Sequence, residues 1–212
     1  MKNSPLVSIV VVTYNSEKFV LETLESIKSQ TYPRLELIIT DDCSEDNTVN
    51  ICEEWVKKNE GRFENSRIVT SPVNTGIGRN ANRGLYYVTG EWYKGIAGDD
   101  ALIETCIEEY IKAINLHPEY RFFHSLCDRY KDVFSPGNKL PSFSNFPNKI
   151  FKTNCENEQS KQYVNFLLSS SILSCTCMIN SEAIKNMNGF EERIRKSEDW
   201  PTWIKVSEQG YK

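Results

Sequence analysis

Residues 6–40 read LVSIVVVTYNSEKFVLETLESIKSQTYPRLELIIT, and their order of elements decides the fold. Residues 6–13 form a β-branched run bounded by Pro5 and by Tyr14-Asn15-Ser16, the pattern of a strand buried on both faces. Ser16 can cap a helix in which Phe19, Val20, Leu24 and Ile27 recur at helical spacing, and Tyr32-Pro33 stops it. A second apolar strand follows at residues 35–40, ending in Asp41-Asp42. A fully buried strand, a crossover helix and another buried strand predict a parallel sheet.

The same grammar continues outward. Asp46-Asn47-Thr48 opens a second helix with Val49, Cys52 and Val56 on one face, before a short strand around residues 67–70. NTGIGRNANRGLYYVTG carries a third helix into a strand at residues 92–97. Next come a helix over about residues 103–115, with Ile107, Tyr110, Ile111 and Ile114 inward, and a strand near residues 121–125. This is an α/β chain with a Rossmann-like, doubly wound, mostly parallel sheet. The grammar breaks at Asp128. Residues 128–163 hold three prolines and no stable period, too long for an ordinary connection, and we expect a functional lid or an ordered excursion there. An apolar strand resumes at residues 171–179, and an amphipathic piece at residues 199–209 ends at Gly210, a suitable helix C-cap. The abrupt stop two residues later suggests a piece of a longer protein. Nothing divides residues 1–212 into more than one domain.

Composition narrows the function. A chain of 212 residues with 39% hydrophobic residues can bury one sizeable core. A net charge of −4 without a Lys/Arg run excludes nonspecific nucleic-acid binding, so any anionic ligand must be held by local devices. Seven cysteines lack the spacing of zinc knuckles or a secreted disulfide framework, and reduced thiols in a cytoplasm fit best. Cys175 and Cys177 sit in a β-prone run, where both side chains would pack on one face of a strand. No apolar stretch approaches the roughly 20 residues of a bilayer span, and residues 1–5 are not a signal peptide.

In an open α/β sheet, ligands bind beyond the carboxyl ends of the strands. Three of those ends are polar here: Thr13-Tyr14-Asn15, Asp41-Asp42 and Asp99-Asp100. Tyr14 offers a ring for stacking, and the second end offers a carboxylate for a base N–H. Two adjacent carboxylates at the fourth strand suit a hard divalent cation carrying a diphosphate, since Mg2+ is usually held by one or two carboxylates plus its substrate's phosphates. Each element also has a plainer reading, as helix-entry packing, turn formation or helix capping. The residues after the first strand contain no glycine, which removes the dinucleotide fingerprint, and no P-loop lysine pattern occurs. Gly76, Gly78 and Gly84 lie around Arg79, where free N–H groups and a guanidinium can meet phosphate or base.

These residues resemble a known family. VSIVVVTYNSEKFVLETLESIKSQTYPRLELIITDDCSEDNT, the later N-x-G, the GDD, and G-F-E-E followed by an E-D pair look like the bacterial family 2 glycosyltransferases, inverting enzymes with the GT-A fold, in order and spacing over nearly the whole chain. The resemblance implies a nucleotide-sugar-binding half at residues 1–127 and a smaller acceptor-side half at residues 128–212. It implies that Thr13, Tyr14 and Asn15 line base and ribose, and that Asp42 accepts from the uracil N3–H. Arg79 would lie near base or diphosphate, Asp99 near ribose and sugar, and Asp100 on Mg2+ or Mn2+. Asp199, in KSEDW, corresponds to the general base. The implied partners are a UDP-sugar donor and a saccharide or lipid-linked acceptor at the cytoplasmic side, with peripheral membrane association through a C-terminal part beyond this sequence.

Two departures stand out. Many members carry an aspartate where this chain has Ala97, and many read A-R-N where it reads Asn80-Ala81-Asn82 with its arginine at Arg79. Glu198 neighbours the implied base, and adjacent residues at a helix start point apart, so only one enters the cleft. Trp200 and Trp203 could form a sugar platform or pack inward, and His124 is expected to be a satisfied strand-end histidine. Two other classes compete. A phosphohydrolase with an aspartate nucleophile needs D-x-D directly after the first strand, which ends instead in TYN; a noncatalytic nucleotide-sugar-binding module is made thinkable by Ala97.

Overall fold

The structure, a computed structural model, describes residues 4–141, 162–163, 166–168, 172–195 and 197–211. Its strands are β1 (Val7–Thr13), β2 (Leu35–Asp41), β3 (Asn65–Thr70), β4 (Trp92–Ala97), β5 (Phe122–His124), β6 (Arg129–Tyr130), β7 (Lys139–Leu140) and β8 (Cys177–Asn180). The helices are α1 (Val20–Lys28), α2 (Thr48–Asn59), α3 (Ile77–Tyr86), α4 (Cys106–Leu116), α5 (Ser181–Asn186) and α6 (Asp199–Glu208). Six strands form one sheet in the order β3-β2-β1-β4-β8-β5. The first four run parallel, and β8 pairs antiparallel with both β4 and β5.

Both faces of the sheet are covered, which is why β1 and β2 are apolar without alternation. Ile9, Val11, Leu37 and Ile39 pack with Leu24 and Ile27 of α1, Trp55 of α2 and Ile107 of α4. Val10 and Ile38 face the other way, onto Ala81 and Leu85 of α3 and Trp203 of α6. Burying a side chain of this size contributes about 1.5–3 kcal/mol. The inward residues expected for α4, namely Ile107, Tyr110, Ile111 and Ile114, are the ones it buries.

Several expectations change in detail. Ser16 does not cap α1, which begins at Val20 after Phe19. The Ser16 amide donates to Thr48 Oγ1 at 2.7 Å instead, tying the β1–α1 loop to the start of α2, and its carbonyl accepts from the Phe19 and Val20 amides at 2.9 Å. Cys175 and Cys177 do not share a strand face. Cys175 lies in a 3-10 turn at Ser174–Thr176, and only Cys177 enters β8, where burial pushes its thiol up to about 12. Within the stretch expected as a lid, residues 128–141 hold the small β6–β7 hairpin. Residues 142–161, Cys155 among them, and the start of the stretch at residues 171–179 lie outside the described residues.

Two glycines let α3 and the segment before α6 approach. Gly76 has φ +93°, a conformation that disfavours a side chain, and a Cβ on Gly78 would lie 2.2 Å from the Glu191 carbonyl oxygen. Asn82 fastens the same crossing, accepting from the Phe190 amide at 2.8 Å and donating to the Phe190 carbonyl at 3.0 Å.

Candidate functional site

Strand register levels the polar strand ends. Thr13 pairs with Asp41 across β1 and β2, and Val12 pairs with Ala97 across β1 and β4. The Asp42 amide donates to the Thr13 carbonyl at 3.1 Å and the Gly98 amide to the Val12 carbonyl at 2.9 Å. Thr13, Asp41-Asp42 and the turn into Asp99-Asp100 therefore share one edge of the sheet.

At this edge Asp41 and Asp42 are buried, at 1% and 2% exposure, and neither acts as a mere turn former. Asp41 accepts from Thr13 Oγ1 at 2.8 Å and from the Ser44 amide at 2.8 Å. Asp42 accepts from the Thr75 amide at 2.8 Å, Thr75 Oγ1 at 2.6 Å, the Gly76 amide at 2.7 Å and Arg83 Nη2 at 3.2 Å. These donors use all of the roughly four lone-pair positions of a carboxylate. Tyr14 is 48% exposed, its ring open for stacking. Asn15 adopts φ +51°, a left-handed conformation Asn tolerates, and its side chain accepts from the Glu45 amide at 2.9 Å. Thr13, Tyr14, Asn15 and Asp42 are thus brought together.

Arg79 is not drawn into this group. It is exposed and pairs with Glu192 at 3.3 Å. The inward polar residues of α3 are Asn80 and Arg83, which sequence reasoning missed. Asn80 is 1% exposed. It donates to the Thr13 carbonyl at 3.0 Å and the Thr40 carbonyl at 3.1 Å, and accepts from Thr40 Oγ1 at 2.7 Å and Arg83 Nη1 at 2.8 Å. The signal was present in GRNANRG, where Asn80 stands four residues before the buried Gly84 and three before Arg83 on one side of the helix.

On the β4 side the carboxylates are less satisfied. Asp99 is exposed and Asp100 half-buried, and burial together with the Asp99 charge pushes the Asp100 carboxyl above its usual range. The cation nearest in kind is Lys94, fully buried in β4. Its ammonium donates to the Gly95 carbonyl at 3.2 Å and to the Cys175 carbonyl, and its charge offsets part of the Asp100 shift. Glu198 is 6% exposed at the entrance to α6 and makes no capping bond. Burial, with the Asp199 charge, pushes its carboxyl upward. Asp199 is half-exposed, and its Oδ1 accepts from the Trp200 amide at 2.6 Å and Ser197 Oγ at 3.3 Å. Glu198 and Asp199 thus differ in exposure. Trp203 packs in the core at 3% exposure, while Trp200 is 37% exposed. His124 ends β5, and burial lowers its pKa.

The model of the family described as glycosyl transferase family 2 matches residues 8–184. The chain belongs to that family. Among relatives of this family member, a "Putative glycosyltransferase EpsE" from Bacillus subtilis is 24% identical over 215 residues, covering 100% of this chain and 70% of the relative. A chondroitin synthase from Escherichia coli is 29% identical, with 99% of this chain spanning 28% of that protein. In structure, the chain is similar to Staphylococcus aureus TarS 1-349 in complex with UDP-GlcNAc, at TM-score 0.69 and 24% identity, covering 95% of this chain and 53% of that one. It is also similar to the mannosyltransferase PcManGT from Pyrobaculum calidifontis in complex with GDP-Man and Mn2+, at TM-score 0.72 and 19% identity, covering 100% of this chain and 54% of that one. The family 2 chain thus has the GT-A fold and spans about half the length of these solved relatives.

The fit of a divalent ion to this family 2 site can be judged from its donors. Asp99 and Asp100 are a like-charged pair with one raised carboxyl, which a cation would relieve. Among the described residues no group of three or more His, Cys, Asp or Glu could hold a metal. The pair suits an ion whose remaining oxygen ligands come from a diphosphate and water. Among the described residues no helix is long and apolar enough to cross a membrane.

Proposed function

We propose that this chain transfers a sugar from a UDP-sugar to a hydroxyl of a saccharide or lipid-linked acceptor, with inversion and with Mg2+ or Mn2+, within one catalytic domain. The observation that carries the reading is the strand register that aligns Thr13, Asp41-Asp42 and the Asp99-Asp100 turn on one sheet edge, in a chain of this family. Tyr14 stacks on the base and Asn15 lies beside the ribose. Asp42 accepts a base N–H in place of its longest contact, the one to Arg83 at 3.2 Å. Arg79, exposed beside Glu192, reaches the donor only by leaving that pair.

Asp100 would hold the metal ion, with Asp99 toward the ribose and sugar. When bound, that ion would stabilise the charge gathering on the departing diphosphate. Asp199 acts from the other side of the anomeric carbon and takes the acceptor hydroxyl's proton. As that oxygen bonds to the anomeric carbon, the carbon–phosphate oxygen bond breaks and the configuration inverts. Support for Asp199 over Glu198 comes from exposure: Asp199 can meet an acceptor, whereas Glu198 is buried. Lys94 stiffens the support, binding β4 to the turn at Ser174–Thr176 that packs beside Asp100. The expected location is the cytoplasmic side.

The test is a mass-spectrometric screen of nucleotide sugars for hydrolysis with and without Mn2+. Mn2+-dependent release of UDP from at least one UDP-sugar is expected. UDP binding without turnover of any donor would support a noncatalytic binding module instead.

A further inference from the structure

We propose that the cavity beneath Ala97 is a subsite for the acylamino substituent of an N-acetylated donor sugar, an inference that rests on the glycosyltransferase reading above. The cavity has a volume of about 40 Å3. Ala97 and Val12, at the ends of β4 and β1, and Glu198, just before α6, are among the residues that line it. Ala97 lies two residues before Asp99, and Glu198 lies one before Asp199. A sugar with its diphosphate at Asp99-Asp100 and its anomeric carbon facing Asp199 would therefore lie beside the cavity.

Size and lining select the substituent. The volume holds about three water molecules, more than the single oxygen of a hydroxyl fills. An acetamido group brings four heavy atoms. Ile77, Phe190 and Trp203 supply an apolar wall for its methyl group, and Glu198 and Ser174 supply polar atoms for the amide N–H and carbonyl. Glu198 sits where a helix cap is expected, yet it makes no capping bond and is directed toward the cavity wall that Ser174 shares.

The experiment compares kcat/KM for Mn2+-dependent hydrolysis of UDP-GlcNAc against UDP-glucose, and UDP-GalNAc against UDP-galactose, in the full chain and in Ala97→Leu, which narrows the mouth. In at least one pair the N-acetyl donor is expected to be favoured by about 10- to 200-fold, the range over which a filled apolar pocket discriminates. Ala97→Leu is expected to lower that ratio at least about tenfold. Equal use of both sugars in each pair, or a ratio that Ala97→Leu leaves unchanged, overturns the subsite while the transferase reading stands. No turnover of any donor overturns both. The wild-type ratio decides even if the variant fails to fold.

Discussion

Asp42 and Asp100 lie just beyond two strands that flank β1, yet the protein treats them in opposite ways. Asp42 is 2% exposed and receives four donors, and behind it Asn80 binds the Thr13 and Thr40 carbonyls. Asp100 is half-buried beside another carboxylate, and burial with the Asp99 charge raises its carboxyl above the usual range. Glu198, which lines the cavity, is also raised by burial. The difference teaches where rigidity and reactivity reside. The β1–β2–α3 side is a completed hydrogen-bonded frame, the part that the proposed function gives to the nucleotide. The β4–α6 side gathers carboxylates whose negative charge a cation and an acceptor's proton would relieve.

The comparison can be broken most sharply at Asp199. Asp199→Asn is expected to lower kcat for sugar transfer by about 10²- to 10⁴-fold, the usual contribution of a positioned general base, while UDP affinity measured by calorimetry stays within about twofold. An unchanged kcat would take the chemistry away from α6. Asn80→Ala probes the frame. It removes one donor from each of the buried Thr13 and Thr40 carbonyls, so an expected loss of about 1–3 kcal/mol would lower the thermal midpoint by about 2–12 °C in a chain of this size. A midpoint shift under about 2 °C would mean that the frame is not held as described.

A smaller effect separates the two sides by pH. The folded-state pKa of Glu198 is raised, so the unfolded chain loses that proton first. The contribution to stability is present below the unfolded carboxylate value and is lost as pH rises through the folded one. Glu198→Gln should therefore raise the thermal midpoint at pH 7.5 and leave it nearly unchanged at pH 4. An equal shift at both pH values would mean that Glu198 is not held in its neutral form.

Much of the frame was legible in the sequence because buried parallel strands and amphipathic helices write their periods plainly. The inward residues of α4 and the alignment of polar strand ends followed from that pattern. The capping role expected of Ser16 did not, because its amide is drawn away by Thr48, 32 residues on. Arg83 was overlooked for the same kind of reason: only the folded crossing of α3 over β2 shows that this arginine, and not the exposed Arg79, reaches Asp42. Cys175 lies in a turn that Thr176 closes onto the Leu173 carbonyl, and Lys94, a cation hidden in an apolar strand, binds the Cys175 carbonyl. Long-range polar partners of single residues have no period, and sequence spacing alone cannot announce them.

The most direct test of the metal–diphosphate edge is a calorimetric titration of UDP into the wild-type chain and Asp100→Asn, each with and without Mn2+. The account predicts that Mn2+ tightens UDP binding by at least about tenfold, or about 1.4 kcal/mol, in the wild type and has little effect in Asp100→Asn. UDP binding of equal strength with and without Mn2+, or an Mn2+ effect that survives in Asp100→Asn, would contradict it.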